Sequence, residues 1–90
     1  MATIGKKYVA KLKEKEMFYM NRIAELNDGK IFWCKRAAER LTEVKEEEMA
    51  DVIHRAYRNI ESLNAEISGW YSQLQGLRDT MYILGIETEV

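Results

Sequence analysis

The clearest pattern in the sequence is a heptad repeat in its second half. From Met49 to Leu84, apolar residues recur at alternating spacings of four and three residues over five heptads. Core positions a and d of such a repeat face a partner helix. The pattern therefore predicts a long helix, and the repeat passes through Gly69 without a change of phase. The a positions are Ile53, Ile60, Ile67, Leu74 and Met81, and the d positions are Met49, Ala56, Leu63, Trp70, Leu77 and Leu84.

A second helix is predicted at the start of the chain. Apolar residues between Ile4 and Leu26 recur at spacings of three, four and seven, until the Asn27-Asp28-Gly29 stretch interrupts them. Glycine adopts the left-handed conformation that often ends a helix at little steric cost. We therefore predict one domain over residues 1–90, with helix one at about 4–27, a turn at 27–30 and helix two at about 31–85. The apolar stripe changes phase between Leu41 and Met49, which this prediction treats as a stutter in helix two.

The predicted fold class is all-α: an antiparallel helical hairpin whose long second helix forms an oligomeric coiled coil or helical bundle. A turn at Gly29 would place Lys11, Lys13 and Lys15 beside Glu46, Glu47 and Glu48. Helix one would then end near residue 54 of helix two and leave the rest of the apolar stripe for another chain to cover. The predicted oligomer interface consists of Ile60, Leu63, Ile67, Trp70, Leu74, Leu77, Met81 and Leu84.

The residues in and beside this stripe affect the predicted number of chains in the assembly. Tyr57 and Tyr71 widen the apolar face, and Trp70 is too bulky for a tight helix pair, which favours a trimer or larger assembly, or a dimer that forms a four-helix bundle. A competing fold is a three-helix bundle with an additional turn at Gly69.

Composition and charge narrow the class of protein. The chain is 47% hydrophobic and 32% charged and contains no proline, which is typical of long helices. Residues 1–45 hold 11 Lys+Arg and 6 Asp+Glu, whereas residues 46–90 hold 3 and 9, so the halves carry +5 and −6 and sum to −1. The overall charge argues against a dedicated nucleic-acid binder, and we expect the halves to neutralise each other on folding. A single cysteine, no secretory signal and no membrane-length apolar run predict a cytoplasmic protein.

One segment of the predicted second helix combines residues suited to a ligand. Arg55, Tyr57 and Arg58 bring two cations and an aromatic ring together. Arginine grips phosphate and an aromatic ring stacks on a base, so these three residues are candidates for binding an anionic or nucleotide ligand. The competing interpretation is an ordinary polar face beside a coiled-coil core. Asp51 and His54 have the spacing of carboxylate-bridged metal sites, but they face away from the predicted core, and we predict no metal, no cofactor and no catalytic residue.

A short run in helix one resembles a known group of proteins. The residues Tyr19-Met20-Asn21-Arg22-Ile23, placed on a short hairpin, resemble phage sponge proteins, which are small helical oligomers that sequester cyclic nucleotide signals between subunits. Ala24 stands where a lysine is expected, and the resemblance therefore assigns no site residue in this chain.

The sequence therefore predicts a non-enzymatic, oligomeric helical interaction protein whose partners are copies of itself and another protein. The alternative is a small, phage-type helical oligomer that sequesters an anionic or nucleotide ligand at pockets between subunits.

Overall fold

A computed structural model describes residues 5–86, which form two helices packed against each other as a hairpin. Helix α1 spans Lys6–Leu41 and helix α2 spans Glu46–Ile83, with 36 and 38 residues. The predicted all-α helical hairpin is confirmed. The molecule is a rod of 67 × 15 × 15 Å with a radius of gyration of 19.4 Å, whereas a compact domain of this length has about 12 Å. Within residues 5–86, neither helix contains an apolar stretch long enough to cross a bilayer.

The turn lies later in the chain than the sequence suggested. The predicted turn at 27–30 is wrong, because α1 continues through Gly29 and ends at Leu41. The connection is residues 42–45, where the Thr42 hydroxyl and backbone N–H both donate to the Glu39 carbonyl oxygen, the hydroxyl at 2.7 Å. Three glutamates then open α2 at the positive end of its helix dipole. The phase change between Leu41 and Met49 is therefore this turn and not a stutter.

Gly29 remains helical because packing outweighs its poor helix propensity. A glycine inside a helix costs about 1 kcal/mol relative to alanine, whereas burying Ile23 or Leu26, each 5% exposed, is worth about 1.5–3 kcal/mol. A Cβ built on Gly29 would lie 3.4 Å from Cδ1 of Leu63, in ordinary van der Waals contact. Gly29 therefore faces α2 inside the hairpin interface.

Helix α2 is continuous through Gly69, as the unbroken repeat predicted, and the three-helix alternative is wrong. Helix α2 ends at Ile83, and Gly85, two residues further on, has a φ of +74°. The Gly85 N–H donates to the carbonyl oxygen of Tyr82 at 3.0 Å, and the Ile86 N–H donates to that of Met81 at 2.8 Å. These two bonds form a Schellman motif, which requires the left-handed residue that glycine supplies.

The core runs along the whole hairpin because the two helices are nearly equal in length. Ile23, Leu26, Ile67 and Leu74 are buried against each other, and Tyr19, Met20, Leu63 and Trp70 pack around them. The expectation that helix one leaves the stripe after residue 54 uncovered is therefore wrong, because the later turn makes α1 long enough to cover it. The oligomer interface assigned to this stripe stays a prediction. It is no longer supported by a difference in length between the two helices.

The cross-helix charges also differ from expectation. Lys11, Lys13 and Lys15 do not lie beside Glu46, Glu47 and Glu48, because the later turn places these two groups at opposite ends of the hairpin. Among residues 5–86, the ion pair that joins the helices is instead Glu16 with Arg78, whose Nε donates to Oε2 at 2.7 Å. The Glu16 side chain is fully buried. This pair and the contact of Gly29 with Leu63 set the register of the two helices.

Candidate anion-binding groove

A groove of about 700 Å³ lies between the two helices beside the turn. Its floor is apolar and includes Val52, which is 9% exposed, and the half-buried residues Ala37 and Ala56. Trp33 of α1 forms one wall, and its ring meets that of Phe32 edge to face with centroids 5.6 Å apart. The volume falls within the range of about 300–1,000 Å³ that is typical of small-ligand sites.

Four arginines surround this floor. Arg36 and Arg40 come from α1 at an i, i+4 spacing, and Arg55 and Arg58 come from α2 at an i, i+3 spacing. All four are exposed. Among residues 5–86, the ion pairs are Arg22 with Glu25 and Arg78 with Glu16, so none of the four groove arginines is paired with a described carboxylate. Each guanidinium therefore has its fork of N–H donors available for a ligand.

Three other polar side chains complete the lining. Glu48 and Asp51 lie on α2, so the lining carries four cations and two carboxylates. The Asn59 side-chain amide donates to the Arg55 carbonyl oxygen at 3.0 Å, which orients the amide and leaves its own oxygen as an acceptor. The groove thus offers a net positive charge for an anion and acceptors for ligand N–H or O–H groups.

The structure separates the three residues that the sequence grouped as a ligand site. Arg55 and Arg58 line the groove. Tyr57 does not line it and is 60% exposed, since its position on the helix turns it toward the flank that carries Ile53 and Tyr71. Its predicted part in ligand binding therefore has no support from the groove.

The α1 side of the groove was missed by sequence reasoning. Trp33, Arg36 and Arg40 follow a three- and seven-residue spacing that places them along one side of a helix. This spacing can be read from the sequence, but the predicted turn at 27–30 assigned these residues to the same helix as Arg55. Only a turn at 42–45 brings them opposite Arg55.

The other candidate chemistry does not assemble at the groove. Asp51 lines it, whereas His54 and Cys34 are exposed elsewhere and do not. Within the described part of the chain, no three His, Cys, Asp or Glu side chains cluster in a way that could hold a metal ion.

Comparisons of this chain with protein-family models, with curated proteins and with solved structures gave no significant match.

Proposed function

We propose that this chain binds an anionic, phosphate-bearing small ligand of the nucleotide class in the arginine-lined groove and releases it chemically unchanged. One observation carries the proposal: both helices direct arginines to a single groove, and none of the four is paired with a described carboxylate. Arginine forms two parallel hydrogen bonds to a phosphate, which gives both affinity and orientation.

The rest of the groove suits the base and sugar of a nucleotide better than inorganic phosphate alone. Trp33 presents an aromatic surface, and base stacking on such a ring is worth about 1–3 kcal/mol. Asn59, Glu48 and Asp51 supply hydrogen-bond acceptors that phosphate does not use. An anion with an attached aromatic group therefore uses more of the lining than an anion alone.

Binding should be measured by calorimetry against a panel of mono- and dinucleotides, linear and cyclic, with nucleosides and inorganic phosphate as partial ligands. We expect nucleotides to bind more tightly than either partial ligand. Arg55→Gln and Arg40→Gln should each weaken binding at least about tenfold, because a hydrogen bond to a charged group is worth about 1.5–3 kcal/mol. Arg22→Gln is the matched control, since Arg22 pairs with Glu25 outside the groove, and it should leave affinity unchanged.

Tryptophan fluorescence gives an independent test of location. Trp33 lies in the groove, whereas Trp70 packs against the core with Tyr19, their ring centroids 5.5 Å apart. A bound nucleotide should quench the emission of Trp33, and Trp33→Phe should remove that response while the emission of Trp70 remains. A panel without any binding, or equal losses for Arg22→Gln and Arg55→Gln, would contradict the proposal.

A second candidate is the helical interaction protein predicted from the sequence, which binds another protein. The observation that favours it is the exposure of large apolar side chains at the end of α2, where Tyr82 is 83% and Ile83 is 82% exposed. A nucleotide panel without response would make this candidate the stronger of the two.

A further inference from the structure

The flank of the hairpin opposite the groove carries a strip of uncharged, mostly apolar residues, here called the seam. On α1 it consists of residues at steps of seven: Met17, Ala24, Ile31 and Ala38. On α2 it consists of Ile53, Tyr57, Asn64 and Tyr71. Side chains seven apart on a helix lie on nearly the same face, and the groove residues occupy the other flank of both helices.

The large apolar side chains of the seam are exposed to solvent. Met17, Ile31, Ile53 and Tyr71 are 48%, 53%, 53% and 53% exposed, and Tyr57 is 60% exposed. The α1 strip from residue 17 to residue 38 is about 32 Å long. None of the eight seam residues is charged, and the charged residues Asp28 and Lys35 lie along its outer edge on α1. Depletion of charge at the centre is the compositional sign of a protein–protein interface.

The middle of the seam is polar. Asn64 stands at its midpoint on α2, and Asn27 lies beside the α1 strip at the same level, since Gly29 contacts Leu63 next to it. A single asparagine in an otherwise apolar helical interface fixes register, because any shift would bury an amide against apolar side chains. This arrangement specifies the alignment of a partner that presents amides at the same level.

The exposed surface area of the chain is large for its mass. The chain exposes 7253 Å², whereas a compact monomer of this mass exposes about 5,500 Å². A stable interface takes about 800 Å² from each partner. The excess surface of one hairpin is therefore more than a stable dimer needs.

We propose that the seam binds the seam of a second copy of this chain, forming a four-helix bundle. Both twofold arrangements of two stacked hairpins align the seams at the level of the asparagines: Asn27 meets either Asn27 or Asn64 of the second copy. The grooves lie on the outer flanks of such a dimer and stay open. The proposal does not depend on ligand binding at the groove.

The test is the mass in solution by light scattering over a wide concentration range, with charge introduced into the seam. The wild type should have the mass of two chains of 10.6 kDa each, or of a larger even number of chains. Ile31→Glu should raise the dissociation constant of the seam contact at least about a hundredfold, because both copies lose an apolar contact and bury a charge. Tyr71→Glu, on the other helix, should have the same effect.

The matched control is Phe32→Glu. Phe32 adjoins Ile31 and is 54% exposed, against 53% for Ile31, but it points away from the seam. It should leave the mass of the wild type unchanged, and the helical circular dichroism of all three variants should show that they fold. A monomeric wild type, an Ile31→Glu variant that associates as the wild type does, or a Phe32→Glu variant as disruptive as Ile31→Glu would each overturn the proposal.

Discussion

At the scale of single residues, Glu16 and Arg78 form a buried ion pair between the two helices. The Glu16 carboxylate has no exposed surface, and Arg78 donates to it across the helix interface while also contacting the sulfur of Met20 at 3.4 Å. A buried ion pair adds little stability compared with a well-packed apolar pair, but losing one partner leaves a charge in a dry environment. The pair therefore acts chiefly on the alignment of the two helices, because only one register brings residues 16 and 78 together.

We expect Arg78→Met to lower the free energy of unfolding by about 3–5 kcal/mol, because the buried Glu16 carboxylate loses the charge-assisted hydrogen bond from Arg78 Nε. The double variant Glu16→Met, Arg78→Met should recover most of that loss. Urea unfolding followed by circular dichroism measures both. A single variant with near wild-type stability would show that solvent reaches the carboxylate and that the pair does not fix the register.

At the scale of the element, the turn decides which residues face each other. The connection at 42–45 has no glycine and no proline, whereas the Asn27-Asp28-Gly29 stretch has the residues that usually end helices. Local propensity is a weak preference that packing along a 36-residue helix overrides. The glutamates at 46–48 and the change of apolar phase were the better signals, because both follow from where α2 begins.

Two glycine substitutions distinguish the observed turn from the predicted one. Gly29→Ala should raise the free energy of unfolding by about 1 kcal/mol, since the residue is helical and the new Cβ meets Leu63 at 3.4 Å. If the chain turned at Gly29, the same change would destabilise it.

Gly85→Ala is the counterpart at a real helix end. It should cost about 1–2 kcal/mol, because alanine at a φ of +74° is strained. Thermal melts of both variants against the wild type provide the measurement, and opposite signs are the expected result. A destabilised Gly29→Ala variant would contradict the hairpin described here.

The continuity of helix α2 through Gly69 could be predicted from the sequence better than which residues of the two helices face each other. The repeat through Gly69 and the end at Gly85 depend on local spacing, so they were recovered. Of the residues that line the groove, the sequence singled out only Arg55 and Arg58 of α2 for ligand binding, because these residues are neighbours in the chain. Arg36 and Arg40 join them through a contact between distant segments, and a turn misplaced by about four helical turns removes that contact.

At the scale of the whole molecule, the most informative property is the elongated shape of the hairpin. A hairpin of two helices is a rod with little interior, which explains a radius of gyration of 19.4 Å and the large exposed area. Small proteins of this kind commonly gain stability by association. The seam provides an apolar surface for it on one long side.

Small-angle scattering should distinguish side-by-side association from contact between rod ends. Two hairpins that pack along the seam at the usual interaxial distance of about 8–10 Å give a radius of gyration only about 0.5 Å above the 19.4 Å of one hairpin. Rods joined end to end would roughly double it. A doubled mass with a doubled radius of gyration would contradict packing along the seam.

The two ends of the described chain also lie together, because a hairpin returns to where it began. Residues 5 and 86 are at one end of the 67 Å rod, and the arginine-lined groove is beside the turn at the other. A fluorophore or a sensor surface attached beside residue 5 or residue 86 is therefore held most of the rod's length from the groove. Immobilised in that way, the protein presents the arginine-lined groove outward, which suits it to surface-based tests of the proposed binding without a spacer.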